Sequence, residues 1–430
     1  MKETKKVITA LDIGSSKILA VVAEIYKDGT FRVLAQGRTD SEGVREGNVV
    51  SIEEAMPRVK AALVEAFGIA GKMPSLQVCT NISGKSVEGK DSSAEMPLRG
   101  RTVNLMDMKK VQNMAQYALE LKDGQQLIKS ELLYYMLDNQ EDEFIGQNPL
   151  DAKSSRISAH MHSAVANSAC ALNRVNLIRR SGMDVSQILP EAWASGYAVL
   201  SPDEIQNGAV MIDIGEGTTD VAVFYAGHPR FTYTINYGGH KITQRISGYL
   251  HCSMQEAEQI KVKLDLRCRA EDSEVILYRS PIEEGNRKYS KLDISKLVYR
   301  EIRNLNMTIG QKLFEEGWYT SQNGAPCNTL TGGIVLTGGT SLLVGMPELF
   351  SDMPGPMAYT FSARLGCSHY TGDACIGLNS PKESAVMGLI AYEALRFKEG
   401  AEDEGEQTAS DDSRWSKLKR FVTEFFIGQY

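Results

Sequence analysis

The stretch that most restricts what this chain can fold into is residues 210–224, VMIDIGEGTTDVAVF. Val210, Met211 and Ile212 form an apolar run fit for a buried strand, and residues 221–224 resume one. Between them, residues 213–220 hold two glycines, two threonines and three acids. Glycine lets the backbone turn tightly and approach a ligand, because no Cβ intervenes. Backbone N–H groups in such a turn can point at phosphate oxygens, and hydroxyls can join them. A carboxylate ending the first strand suits Mg2+, which takes one or two carboxylates plus water and phosphate. The device occurs twice: Asp12-Ile13-Gly14 near the N-terminus matches Asp213-Ile214-Gly215, and hydroxyl residues and an apolar strand follow both. One Asp-x-Gly between strands reads as an ordinary hairpin turn. Two copies half a chain apart favour two related halves facing one nucleotide. Neither is a Walker loop, since GxxxxGK[ST] is absent and both loops lead into strands.

At 430 residues the chain is too long for one core. A formal charge of −7, with no basic tract in the body, argues against nucleic acid as a partner. Seven cysteines without a CxxC pair suit reduced thiols better than a disulfide frame or zinc. The N-terminal residues lack the apolar core of a signal peptide, and no apolar run nears the roughly 18 residues that span a bilayer.

Helices are expected over residues 51–67, 102–121, 165–180, 254–266, 293–316 and 383–395, with another opening at Pro190-Glu191 and one at Gly238-Gly239. Strands are expected over 31–36, 76–82, 156–165, 185–189 and 231–237, with charged, strand-like sequence over 271–292. Residues 334–343 read as strand, glycine turn, helix. His160 and His162 alternate on a strand; with no acid or cysteine completing a set, an ordinary strand pair is expected over a metal site.

The paired loops resemble the phosphate loops of the actin-like ATPases, and within that group the chain most resembles the bacterial cell-division family FtsA. Other strings carry the likeness: Gly43-Val44-Arg45-Glu46-Gly47 before the first long helix, and Tyr134 to Asp138, Asn148-Pro149-Leu150 and Ser158 to His162 of the inserted subdomain. Asn139 and Asp151 stand where the family has glycine. The resemblance implies an α/β actin-like ATPase fold, two related halves around a nucleotide cleft. It implies subdomain 1A over 5–83 and 166–197, insert 1C over 84–165, 2A over 198–238 and 301–396, and 2B over 239–300. It also implies a disordered linker over 397–412 and an amphipathic helix over 413–430.

By the same resemblance ATP and Mg2+ are the cofactors. Gly14, Ser15, Ser16 and Lys17 would hold phosphates from one side, and Gly215, Gly217, Thr218 and Thr219 from the other, with Asp12 and Asp213 orienting Mg2+ through water. Glu191 would position the attacking water; the alternative is a first-turn acid favoured by the helix dipole. Gly239, Gly338, Gly339 and Thr340 would face base and ribose. Glu258 and Lys261 resemble the family's AExxK adenosine contact, or else form an i,i+3 ion pair. Glu216 departs from the family glycine and repels γ-phosphate unless Mg2+ or Lys17 compensates, so slow turnover or ATP binding in the main is expected.

The C-terminal stretch differs in kind. Residues 397–412 are acidic and nearly free of large apolar residues, as in a disordered linker. Beyond Ser413, a helix at ~100° per residue gathers Trp415, Leu418, Phe421, Val422, Phe425 and Phe426 within about 140°, with Lys417 and Lys419 flanking. That pattern lies in an anionic phospholipid surface. A single copy should bind weakly and a filament by avidity. The implied partners are FtsZ, bound through residues 240–300, further copies of the chain, and other division proteins at the inner face of the membrane. Two alternatives remain: a pilus-assembly platform of the same fold, and a small-molecule kinase of the superfamily, which would need a cleft base not evident here.

Overall fold

The computed structural model describes residues 5–400, apart from 72–75, 139–147, 269–274, 280–285, 319–320, 323–324, 327–329, 354–358, 369 and 371–376. The expected helix over 413–430, most of the linker, and Asn139 lie outside the described residues.

The first hairpin pairs Lys5–Ile13 with Lys17–Tyr26, from Lys5↔Tyr26 to Ile13↔Ile18. Phe31–Asp40 adds an antiparallel strand on one side. Gln77–Ile82 and then Asp184–Pro190 add parallel strands on the other, giving five strands. Helix Ile52–Ala70 starts where the Ser51 hydroxyl accepts from Glu54 N–H, and it buries Ala55, Val59, Leu63 and Ala66 against this sheet.

The second half repeats the plan. Ala209–Ile214 and Thr219–Tyr225 form the hairpin, His228–Ile235 continues it antiparallel, and Ile334–Thr337 then Ala363–Leu365 lie parallel on the other side. Helices Gly239–Leu250 and Lys291–Glu315 bury Ile242, Ile246, Ile302 and Ile309 in one core with Val210, Ile212, Val221 and Val223.

A single pair, Tyr233↔Glu88, carries this sheet into Glu88–Pro97, Arg156–Asn167 and Gln125–Leu137, for eight strands in all. With helix Leu105–Tyr117 these three strands close a separate core of Met96, Val111, Tyr135, Ile157 and Met161.

Several boundaries differ from expectation, each for a local reason. The helix expected over 102–121 is Leu105–Tyr117, because Asn104 and Asp107 form a reciprocal capping box. The helix expected over 165–180 is Ser168–Arg180, since the preceding strand runs on to Asn167, which caps it. A short helix, Pro202–Asn207, went unread although Ser201 and Glu204 spell a capping box. The last helix, Ser384–Lys398, runs past 395 because Phe397 still packs on the core, so residues 397 and 398 of the expected linker are helical. Asp151 adopts φ 64°, a left-handed backbone that aspartate tolerates better than most residues other than glycine. His162 is buried between Asp91 (2.6 Å) and Thr232 (2.9 Å) and His160 stacks on Tyr134; no metal cluster occurs among the described residues.

Helices Glu191–Val199 and Ser384–Lys398 cross between the halves, and their apolar faces share a core with both hairpins. At the crossing a Cβ on Gly388 would sit 1.6 Å from the Ala194 carbonyl oxygen, so the helices touch backbone to backbone. Replacing Gly388 with Val should therefore lower unfolding free energy by about 3 kcal/mol or more. Gly68→Ala, where an added Cβ meets nothing within 4 Å, should raise it by about 0.5–1 kcal/mol. Urea unfolding of the two variants beside the parent checks both signs.

Candidate functional site

The two hairpin tips share one construction. Gly14 N–H donates to the Lys17 carbonyl at 3.0 Å, and Gly215 N–H donates to the Thr218 carbonyl at 2.9 Å. Residues 14–17 join the pair Ile13↔Ile18, and residues 215–218 join Ile214↔Thr219. The second tip also ends a helix: the carbonyls of Gly215 and Glu216 accept from Gly239 N–H (3.0 Å) and His240 N–H (2.8 Å), the orphan donors of Gly239–Leu250.

The tips face each other across a cavity of about 710 Å3. Asp12, Gly14, Ser15, Ser16, Lys17, Glu191, Asp213, Gly215, Gly217, Thr218, Gly239, Glu258, Lys261, Gly338, Gly339 and Thr340 all line it. Thr219 does not: it is buried and its hydroxyl donates to the Tyr237 carbonyl at 2.7 Å. The Thr218 hydroxyl is also engaged, donating to Asp220 at 3.0 Å, so this tip offers chiefly backbone N–H groups. Close approach demands glycine at two places. A Cβ on Gly217 would lie 2.7 Å from the Ser15 hydroxyl, and one on Gly338, at φ 84°, would lie 2.3 Å from Asp213 Oδ1.

Lys261 and Glu258 do form an i,i+3 ion pair at 2.7 Å, but on the cavity wall. Lys261 also donates to the Gly239 carbonyl (3.1 Å) and Thr243 (2.9 Å). Lys17 lines the cavity, yet its ammonium pairs with Glu383 at 3.1 Å and with the Lys382 carbonyl. The cavity also reaches Met254, Val262, Leu342 and Leu343, an apolar end suited to a flat ring.

Carboxylates dominate the centre. Asn81, next to last in strand Gln77–Ile82, donates to Asp12 at 2.6 Å and to Glu191. Ser195 donates to Asp213, and Ser83, Thr218 and Thr234 donate to Asp220. The buried Arg174 guanidinium reaches the Ile13 and Gly47 carbonyls and Asn81 Oδ1. Burial first, then the charges of Asp12, Asp213 and Asp220, push Glu191 well above the usual carboxylate range. Burial pushes Asp213 up to about 7 and Asp220 up to about 6. Burial also raises Glu216, whose Oε2 has no hydrogen-bond partner among the described residues, against the pull of His240 and Lys261.

Sequence reading missed Asn81, Ser83, Arg174, Arg38 and Glu383. Arg174 left a signal, as a charge in the buried stripe Ala171, Arg174, Ile178 of its helix; Asn81 is a buried polar residue one position before the end of its strand. Glu383 left none, because its partners Lys17 and Arg38 are remote in sequence.

This donor set fits a magnesium-bound polyphosphate. Desolvated acids are relieved by a divalent cation, and N–H groups at glycine tips complement phosphate oxygens.

A family model described as "Cell division protein FtsA" matches residues 210–388, and one described as "Type IV pilus assembly protein PilM" matches 135–276. The cell division protein FtsA of Pseudomonas aeruginosa is 30% identical over 428 residues, 98% of each chain. Among solved structures, the PilM-PilN type IV pilus biogenesis complex aligns at a TM-score of 0.58 with 15% identity, covering 91% of this chain and 98% of that one. MreB5 of Spiroplasma citri bound to ADP aligns at 0.53 with 14% identity, covering 92% and 98%. These establish the actin-like ATPase fold.

The raised carboxylates fix a pH dependence. An unfolded aspartate titrates at about 3.9, so as pH rises the unfolded chain loses these protons first. The contribution of the protonated folded groups is complete below pH ~4 and is lost as pH climbs through the folded values of about 6 and about 7. Asp213→Asn should therefore stabilise the ligand-free protein by about 1–3 kcal/mol at pH 8 and leave it nearly unchanged at pH 4.5. Urea midpoints at the two pH values check this; an equal effect at both would contradict it.

Proposed function

The chain belongs to the FtsA family of cell-division proteins, and on that premise we propose that it binds Mg-ATP between its two hairpin tips, polymerises, and tethers FtsZ filaments to the cytoplasmic membrane at the division site. The observation that carries the nucleotide reading is the facing of two identically built glycine tips across one acid-lined cavity. Mg2+ would supply charge neutralisation between phosphate and carboxylate. Asp12 and Asp213 would hold it through water; N–H groups of residues 15–17 and 216–218, beyond the Gly14 and Gly215 donors that close the tips, would orient the phosphates. Gly239, Gly338, Gly339 and Thr340, with the Glu258–Lys261 pair, would bound the nucleoside.

Glu191 has two assignments open to it. Its raised carboxyl and its bond from Asn81 suit a group that positions a water, which supports that role over a first-turn acid favoured only by the helix dipole. Phosphoryl transfer depends mainly on positioning and charge neutralisation. The desolvated Glu216 carboxyl on the second tip supports slow turnover.

The subdomain partition given above remains our proposal, including FtsZ contact through residues 240–300. Membrane attachment rests on the sequence of residues 413–426, with Trp415, Leu418, Phe421, Val422, Phe425 and Phe426 entering lipid and Lys419 at its anionic surface. No helix among the described residues is long and apolar enough to cross a membrane. The pilus platform is the second reading, favoured by the match over residues 135–276; the terminal basic aromatic stretch counts against it.

Co-sedimentation with anionic vesicles, Mg-ATP and FtsZ tests the tether. The intact chain should pellet and carry FtsZ with it, whereas a chain lacking residues 413–430 should leave both in the supernatant. Equal pelleting of the shortened chain would overturn the anchor assignment.

A further inference from the structure

Glu383 is a buried carboxylate with an unusual pair of partners. Its Oε1 accepts from Lys17 Nζ at 3.1 Å and from Arg38 Nη1 at 3.3 Å, while its side chain is only 3% exposed. Its Oε2 has no hydrogen-bond partner among the described residues. Lys17 comes from the first hairpin tip and Arg38 from strand Phe31–Asp40, both in the first half. Glu383 stands in the turn Pro381–Glu383, just before the second crossing helix. That turn is fastened to the other half: the Pro381 carbonyl accepts from Gly338 N–H at 3.0 Å and from the Thr337 hydroxyl at 3.2 Å. The Lys17–Glu383 pair thus joins one half to the other at the cavity wall, which Lys17 and Lys382 line. It also leaves the tip's ammonium engaged by protein acceptors, Glu383 and the Lys382 carbonyl, at the cavity wall.

We propose that Glu383 is a built-in competitor for the phosphate-loop lysine, surrendering Lys17 to the polyphosphate when it binds and keeping Arg38 as its own counter-ion. The inference rests on the reading of the cavity as a nucleotide site. Two anions contend for one cation. A buried carboxylate left without its cation is costly, so the exchange is tolerable only because Arg38 remains on the same oxygen. Only the fraction of molecules with Lys17 released binds at full strength, which lowers apparent affinity by that fraction. Glu383 accordingly sets how tightly the site holds its ligand, and the ligand in turn loosens a bridge between the halves.

The test is a double-mutant cycle read by isothermal titration of ATP with excess Mg2+ into the full chain. Glu383→Gln should bind roughly tenfold more tightly than wild type. In a Lys17→Met background the same substitution should change affinity by less than about twofold. Should Glu383→Gln fail to fold, Glu383→Asp, which draws the carboxylate back by one methylene, carries the same expectation. Unchanged or weaker binding in the Glu383 variant would overturn the proposal while leaving the nucleotide site standing. A gain that persists without Lys17 would also overturn it, since general repulsion would then suffice. No binding by wild type would overturn both.

Discussion

The contact between the Gly388 backbone and the Ala194 carbonyl is the constraint from which the rest of the structure follows. Both crossing helices begin at the cavity. One opens with Glu191, and the other follows directly on Glu383. Because they meet without intervening side chains, their starts are held close together. The two hairpins that pack on them are thereby brought tip to tip. A larger residue at 388 would separate the halves, and the site would open with them.

That closeness has an electrostatic cost. Asp12, Glu191, Asp213 and Asp220 come together near the buried Arg174 guanidinium. Burial favours protonation, as the raised Asp213 and Asp220 carboxyls display, and at Asp213 the neighbouring charges of Asp220 and Asp12 add to it. Hydroxyls from Ser83, Ser195, Thr218 and Thr234 offset part of the cost, but a carboxylate cluster of this kind is stabilised far better by a bound cation. The protein's stability and its ligand occupancy are therefore linked by mass action.

Much of this was legible in the sequence, for a specific reason. The Asp-x-Gly tips are local devices, with strand, turn and strand contiguous, so both copies can be read from residue order alone. The family likeness extended that reading to Gly338, Glu258 and Lys261, and these line the same cavity as the tips. What stayed hidden depends on contacts remote in sequence. Lys17 reads as a phosphate ligand from the sequence, but its ion pair with Glu383 does not show there. Thr219 reads as a ligand hydroxyl until strand geometry turns it toward Tyr237. The junction of the insert with the second half hangs on Tyr233↔Glu88, which no periodicity announces. Helix ends were misjudged where caps such as Asn104 and Asn167 overrode the apolar pattern.

The central claim is that the two tips act together on one ligand. Hydrogen exchange of the full chain with and without Mg-ATP tests it most directly, since backbone N–H groups at both tips are the proposed ligands. Slowed exchange at residues 15–17 and at residues 216–218 together is the predicted result. Protection at one tip alone, with the other exchanging as in the ligand-free protein, would contradict it.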